Sequence, residues 1–136
     1  MKNKPKIGAT GQTTFTVRPE HSIDVLDDSR LAVLSTPSLI WFLEHAARAA
    51  LTPVLEPNET SVGTRVDVQH LAATPLDFEV TCVARVIHFD GLSVTFQVHA
   101  TDGQDTIARG VHQRRVVPIA RLARRVRKKK EARKSK

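Results

Sequence analysis

Hydrophobic and polar residues alternate along most of the chain after Pro57. This alternation predicts four long β-strands, at residues 62–71, 78–89, 92–101 and 106–117. The dipeptides Asp90-Gly91 and Asp102-Gly103 separate the last three strands and are typical of hairpin turns. Because hairpin connections make neighbouring strands antiparallel, this part of the chain predicts an antiparallel sheet.

The first part of the chain predicts one short strand and one helix. Residues 13–17 alternate weakly and indicate a strand, whereas residues 18–35 show no regular pattern. Thr36-Pro37 marks a helix start, because threonine is a good N-cap and proline suits the first helical position. Residues that favour helix follow without glycine or proline until Thr52-Pro53, which ends the helix.

The two halves of this helix differ in character. Residues 39–43 are apolar around the whole circumference, which indicates that they are buried. The second half is rich in alanine and lets other backbone approach closely. One helix cannot cover both faces of a sheet, so we expect an α+β hotdog fold, with a curved five-stranded antiparallel sheet wrapped around one central helix. The exposed sheet edges and apolar surface favour a dimer.

Positive charge is concentrated at the C-terminal end. The chain has 136 residues and a net charge of +7, and residues 124–136 carry nine basic side chains against one acidic side chain. The rest of the chain is nearly neutral, so we expect a single domain over residues 1–123 and a basic, disordered tail over 124–136. No apolar run approaches the roughly 20 residues of a membrane span and no secretory signal is evident, so we expect a cytoplasmic protein.

Motifs for cofactors and metals do not stand out. Cys82 is the single cysteine and lies in an apolar run, where a buried, unreactive thiol is expected. The sequence shows no glycine-rich phosphate loop, no clustered metal-ligand spacing and no nucleophile elbow. We therefore expect neither a cofactor nor a metal ion.

Glu44 is the residue that most strongly indicates chemistry. It follows five apolar residues in a helix expected to be buried, where an unpaired carboxylate is costly. One explanation is an ion pair with Arg48, one helical turn later. The other is that Glu44 faces a ligand cavity as a general base or nucleophile.

His70 and Thr36 have two interpretations each. His70 shares one side of its strand with Val62 and Val66, with Gly63 on the other side, and is either a hydrogen-bonded core residue or an acid–base partner of Glu44. Thr36 is explained by N-capping alone. About 12 Å of helical rise separates Thr36 from Glu44, so they share a site only if Thr36 folds back or a second subunit contributes.

Two strands carry further candidates. Gly63 interrupts a strand, which indicates either a bulge beside a ligand or packing against a large neighbour. His112 and Arg114 lie on the same side of the last strand, and an arginine there is suited to hold a phosphate or a carboxylate. Arg115, next to them, offers the same chemistry.

Taken together, these positions resemble the fluoroacetyl-CoA thioesterase-like family of hotdog proteins. The resemblance covers roughly residues 7–127. Its features are Thr36 before the helix and Glu44 eight residues later, Leu55-Glu56-Pro57, Ser61-x-Gly63-Thr64, His70 followed by Ala72-Ala73-Thr74-Pro75, and Gly110-x-His112-x-Arg114.

The resemblance implies an enzyme that hydrolyses a short-chain acyl-CoA thioester to free acid and CoA at a dimer-interface site, in a homodimer or a tetramer. It assigns catalysis to Thr36, Glu44 and His70, and substrate binding to Gly63 and Arg114. The nucleophile stays open between Glu44, Thr36 and water. His70 would manage the proton, and a backbone N–H would stabilise the oxyanion.

The acyl group of the substrate and the class of function each have alternatives to the family's best-known activity. The fluoroacetyl enzyme of the family has a phenylalanine-bearing lid before its helix, whereas residues 29–35 contain no aromatic residue, so we expect a different short acyl group. A non-catalytic acyl-CoA-binding protein on the same fold is one alternative. A nucleic-acid-binding protein that uses the basic tail is another. The near-neutral body and an aromatic content of only 4% disfavour nucleic acid as a partner.

Overall fold

The long elements follow the order predicted from the sequence. The structure is a computed structural model that describes residues 1–27 and 30–134. Its strands and helices are β1 (Thr10–Thr16), β2 (Ser22–Asp24), β3 (Ala32–Leu34), α1 (Thr36–Leu51), β4 (Glu59–His70), β5 (Glu79–Asp90), β6 (Ser93–Thr101), β7 (Thr106–Pro118) and α2 (Ile119–Lys134). Short 3-10 turns at Pro19–His21 and Thr52–Val54 precede β2 and follow α1.

Five of these strands form one antiparallel sheet, in the order β1-β5-β6-β7-β4. β1 and β4 are therefore its edges. Helix α1 packs on one face of the sheet and buries Leu39, Leu43 and Leu51 against it. Each of these leucines contributes about 1.5–3 kcal/mol of hydrophobic stabilisation. The prediction that residues 39–43 are buried around the whole circumference was wrong for Trp41, which is 59% exposed because it lies on the side of α1 away from the sheet. The curled sheet and its central helix confirm the predicted hotdog fold.

The alanines of α1 allow close contact with β1. A Cβ atom on Gly11 would collide with the backbone of Ala46 and Ala50, so only glycine fits at this position. Phe15 of β1 stacks on Phe42 of α1, with ring centroids 3.7 Å apart. This close approach is the role expected for the alanine-rich half of the helix.

The segment before α1 differs from the prediction. Residues 18–35 include β2 and β3, which pair antiparallel, and three-residue strands are too short to show a period in the sequence. The N-cap is Ser35, whose hydroxyl accepts a hydrogen bond from the backbone N–H of Ser38. Thr36 is therefore the first helical residue, and its hydroxyl is not used for capping.

The C-terminal end also differs from the prediction. The expected disordered tail over 124–136 is helical as far as Lys134, and the boundary placed at residue 123 falls inside α2. Ser135 and Lys136 lie outside the described residues. Alanine, arginine and lysine dominate α2, and all three favour helix. Disorder was predicted from the charge of this segment alone, whereas its helix propensity accounts for α2.

The single cysteine behaves as expected. Cys82 lies in β5 and is completely buried, and burial raises the pKa of its thiol to about 12. The thiol is therefore protonated and unreactive near neutral pH. Within residues 1–27 and 30–134, no helix is long and apolar enough to cross a membrane.

Candidate active site

Thr36 and His70 contact each other at the N-terminal end of α1. The Thr36 hydroxyl lies 2.8 Å from Nδ1 of His70, the last residue of β4. This contact depends on Ser35, because its capping leaves the Thr36 hydroxyl available for the imidazole. Two of the three predicted catalytic residues thus form one unit, the Thr36–His70 pair.

The surroundings of His70 favour a neutral imidazole. Burial lowers the pKa of His70, and a backbone contact to Ala72 partly offsets this effect. Its Nε2 atom is buried and makes no hydrogen bond within the described part of the chain. A shallow pocket of about 250 Å³, lined by Val33, Leu34 and residues 70–73, adjoins this ring. The neutral imidazole therefore has one nitrogen at Thr36 and one nitrogen free to make a further hydrogen bond.

Glu44 lies two helical turns further along α1 and faces β7. Its Oε1 atom is 3.9 Å from Nη1 of Arg114 and 3.9 Å from Nε2 of His112. The Glu44 side chain is 33% exposed, whereas both partners are almost completely buried. The carboxylate is thus directed across to the sheet rather than along the helix toward Arg48, so an ion pair within α1 does not account for this residue.

Arg114 supplies the positive charge beside Glu44. Its Nε and Nη2 groups donate to the hydroxyl and carbonyl oxygens of Ser61, each at 2.9 Å, and Nη1 donates to His112 at 3.2 Å. Burial lowers the pKa of Arg114 and the Glu44 carboxylate opposes that shift, but a guanidinium stays charged near neutral pH. Because most of its donors are used inside the protein, Arg114 is better arranged to hold Glu44 than to bind a substrate phosphate.

Gly63 provides the space that the Glu44 carboxylate occupies. A Cβ atom at Gly63 would lie 2.6 Å from Oε1 of Glu44 and 3.3 Å from Cε1 of His112. Any side chain at this position therefore competes with the carboxylate. We refer to the residues around it as the Glu44 cluster: Glu44, Ser61, Gly63, His112 and Arg114.

A β-bulge in β4 brings both groups to one face of the sheet. The register of β4 against β7 shifts between Gly63 and Arg65, which leaves Thr64 as the extra residue. The strict alternation predicted from the sequence placed Gly63 on the opposite side from His70, and this was wrong. The bulge reverses the alternation, so that both residues face α1.

Sequence reasoning noted Ser61 and His112 among the family features but gave neither residue a role in the site. His112 and Arg114 were assigned to one strand face, but nothing local showed that they contact each other. The Nδ1 atom of His112 lies 2.8 Å from the carbonyl oxygen of Arg65. Burial lowers the pKa of His112, with Arg114 adding to the shift and the Arg65 carbonyl and Glu44 opposing it. The imidazole is thus neutral at neutral pH, and its 3.9 Å approach to Glu44 is not an ion pair.

The predicted catalytic residues therefore form two separate groups within one chain. Thr36 and Glu44 lie on the same continuous helix, eight residues and about 12 Å of rise apart. His70 belongs to the first group and Gly63 to the second. The separation anticipated from helix geometry is present, and Thr36 does not fold back.

Comparison with known proteins shows one consistent relationship. The family model described as fluoroacetyl-CoA-specific thioesterase matches residues 17–120. The fluoroacetyl-CoA thioesterase of Streptantibioticus cattleyicolor is 33% identical over 138 residues, covering 97% of this chain and 99% of that protein. A solved structure of a fluoroacetyl-CoA thioesterase is 30% identical with a TM-score of 0.86, covering 93% of this chain and 98% of that one. A thioesterase superfamily member from Thermus thermophilus is 26% identical with a TM-score of 0.90, covering 98% of both chains.

These similarities confirm the family resemblance and the fold inferred from the sequence, and they place the chain among thioester hydrolases. Thr36, Glu44, Gly63, His70 and Arg114 all lie within the matched span, residues 17–120. On this evidence, the chain belongs to the fluoroacetyl-CoA-specific thioesterase family.

Proposed function

We propose that the protein hydrolyses a short-chain acyl-CoA thioester to the free acid and CoA, at a site shared by two copies of the chain. The observation that carries this proposal is the separation of Thr36 from Glu44 on one continuous helix. Catalytic groups act together only within hydrogen-bond reach of the same substrate atoms. Thr36 and Glu44 of one chain are too far apart for this, so we propose that a second copy supplies one of the two groups at each site.

The surface between the two groups supports such a dimer. β4 is an edge strand with unpaired backbone groups, which favours pairing with another strand. Trp41 on α1 lies between Thr36 and Glu44 in sequence, and Val66 on β4 lies between Gly63 and His70. These two apolar residues are 59% and 40% exposed. A second copy, related to the first by a two-fold axis at this surface, would cover these apolar residues. It would also place the Thr36–His70 pair of one copy beside Glu44 of the other.

The reaction then needs a nucleophile, a proton carrier and an oxyanion donor. An oxygen nucleophile adds to the thioester carbonyl carbon, the carbon–sulfur bond breaks, and a proton goes to the CoA sulfur. Attack by water gives the free acid directly, whereas attack by Thr36 or Glu44 gives an acyl ester or anhydride that a water molecule then hydrolyses to the free acid. If the Thr36 hydroxyl donates to Nδ1 of His70, Thr36 is the activated nucleophile. If Nδ1 donates to Thr36, Nε2 is left to deprotonate water, or Glu44 attacks directly. A backbone N–H beside Gly63 is the proposed oxyanion donor.

Substrate choice follows from the pocket and the segment before α1. The pocket beside His70 is shallow, and apart from His70 its lining is aliphatic (Val33, Leu34 and residues 71–73), which suits a short alkyl group. The described residues 30–35 include no aromatic side chain, and Ser29 lies outside the described residues. We therefore propose acetyl or propionyl groups ahead of fluoroacetyl, in a cytoplasmic dimer in which Arg114 lies near the substrate.

Subunit complementation tests the shared site. Glu44→Ala and His70→Ala variants are each expected to be inactive as homodimers, because every site lacks one group. When the two are unfolded together and refolded, half of the dimers are mixed and each has one intact site, so about a quarter of wild-type activity should return. Refolding wild type with the double variant gives mixed dimers whose sites all lack one group, and serves as the control. No recovery in the first mixture would show that the site lies within one copy.

A panel of acyl-CoA esters tests the substrate. Acetyl-, propionyl-, butyryl- and fluoroacetyl-CoA are compared by the release of free thiol under steady-state conditions. We expect the highest kcat/KM with acetyl- or propionyl-CoA. Binding of these esters without turnover would contradict the proposed reaction, and a strong preference for fluoroacetyl-CoA would contradict the assignment of the acyl group.

A further inference from the structure

We infer that His112 and Ser61 are positioning residues, which hold the Arg114 guanidinium so that Arg114 in turn holds the Glu44 carboxylate in place. The inference rests on the proposed function, since it concerns the carboxylate used in that reaction. Neither His112 nor Ser61 is assigned to touch the substrate. Both act on Glu44 through Arg114.

The hydrogen bonds of His112 determine which nitrogen carries its proton. The carbonyl oxygen of Arg65 can only accept, so Nδ1, at 2.8 Å from it, is the protonated nitrogen. In the neutral ring Nε2 is then an acceptor, and it faces the Nη1 group of Arg114 at 3.2 Å. The neutral ring is fully satisfied only in this tautomer, and burial favours the neutral form.

Ser61 fixes the other side of the guanidinium. Its hydroxyl and its carbonyl oxygen accept from Nε and Nη2 of Arg114, each at 2.9 Å. With His112 on Nη1, every nitrogen of the guanidinium has a partner, and a planar group held at all three nitrogens cannot rotate. The orientation of Arg114 is therefore set by residues of β4 and β7 and not by Glu44.

Glu44 approaches this fixed group from α1. Its Oε1 atom is 3.9 Å from Nη1, the nitrogen that also bonds His112. Glu44 itself accepts no shorter bond from Arg114 and is one-third exposed, so its position depends on a stationary charge and on the open space at Gly63. Removal of the His112 acceptor would leave the guanidinium held by Ser61 alone, so Nη1 and the carboxylate that faces it could move together.

Two amide substitutions separate the two hydrogen bonds of His112. His112→Gln places an amide oxygen near the Nε2 position, so the acceptor for Arg114 is kept and the donor to Arg65 is lost. His112→Asn keeps a donor near the Nδ1 position and loses the acceptor for Arg114. The two variants are matched in polarity, and thermal melting of both shows how far each disturbs the fold.

We expect His112→Asn to lower kcat for acyl-CoA hydrolysis about 10²-fold with little change in KM, because displacement of a reacting group by about 1 Å has that effect. His112→Gln should recover most of this loss. Wild-type kcat in His112→Asn, or equal losses in the two variants at equal melting temperature, would overturn the inference.

Two spectroscopic measurements test the same inference without activity. In the wild-type protein, imidazole ¹H–¹⁵N spectra, assigned by comparison with His112→Gln, should show His112 neutral and protonated on Nδ1. The ¹³C signal of the Glu44 carboxyl should shift in His112→Asn and stay near its wild-type position in His112→Gln. An Nε2-protonated or charged ring at neutral pH, or an unmoved Glu44 signal in His112→Asn, would overturn it. A wild-type protein that shows the expected spectra but hydrolyses no acyl-CoA would instead refute the proposed function.

Discussion

Gly63→Ala should remove activity while leaving the fold intact. The added Cβ would lie 2.6 Å from Oε1 of Glu44, and ordinary van der Waals contact begins at 3.4 Å, so the oxygen must retreat by about 0.8 Å. Oε1 is the end of a flexible side chain and can move. A displacement of about this size at a reacting group costs roughly 10²-fold in rate, which corresponds to about 2.7 kcal/mol of transition-state stabilisation.

The same substitution should have a small effect on folding. Gly63 does not adopt a positive φ, so alanine is compatible with its backbone. Alanine leaves the unfolded chain less conformational freedom than glycine does. This stabilises the folded variant by about 0.4–1 kcal/mol, which offsets the strain of moving Glu44. We therefore expect the free energy of unfolding in urea to stay within about 1 kcal/mol of wild type while kcat falls about a hundredfold.

Gly110→Ala is the matched control on the partner strand. There the added Cβ would collide with the backbone oxygen of Asp67 and lie 2.7 Å from Cα of Val68, and strand backbone cannot move aside. In this variant the free energy of unfolding should fall, and activity should be lost only to the extent that the protein unfolds. Wild-type kcat in Gly63→Ala, at an unchanged unfolding free energy, would refute the assignment of Glu44 to the reaction or its placement against Gly63.

The remaining predictions concern the Thr36–His70 pair, pH and the buried thiol. Thr36→Val removes the hydroxyl beside His70 and should lower kcat by about 10²-fold, whereas Thr36→Ser should retain most activity; similar losses in both would count against a role for the hydroxyl. The pKa values of His70 and His112 both lie below their ordinary 6.5, so as the pH falls below about 6.5 the unfolded chain binds protons before the folded chain does. Stability measured by urea unfolding should therefore be complete above that pH and decline below it, less steeply in His112→Gln, and a flat profile would contradict the burial of these rings. Cys82 should resist alkylation by iodoacetamide in the native protein and react fully in urea, and mass spectrometry that finds rapid native labelling would contradict its complete burial.

Much of the fold was predictable because its signals are local. Alternation with a period of two identified β4 to β7, and the Asp-Gly dipeptides identified the turns between the last three strands. In the structure Gly91 and Gly103 adopt the positive φ that such turns require. The central helix was likewise identified from its run of helix-favouring residues and its proline-marked start, although its apolar circumference wrongly predicted that Trp41 is buried.

Local signals misled where two of them competed. Ser35 and Thr36 are adjacent, and both residue types can cap a helix. In the structure Ser35 is the cap, and the Thr36 hydroxyl contacts His70, a residue 34 positions away in sequence. Charge dominated the interpretation of residues 124–136, although their helix propensity is high and α2 forms. The bulge at Thr64 was among the interpretations of Gly63, but its effect on the alternation depends on the register against β7.

The sequence by itself determined the five strands of the large sheet, the central helix, the family and the residue types able to carry the chemistry, because hydrophobic period and motif spacing are recorded along the chain. The tertiary structure decided that Glu44 faces Arg114 rather than Arg48, and that Gly63 makes room for it. Those contacts join residues far apart in the chain, and strand register and a single bulge select them. The hydrophobic period of one segment does not predict which buried polar groups of other segments it contacts. The Glu44 cluster could therefore be identified only from the packing of β4, β7 and α1.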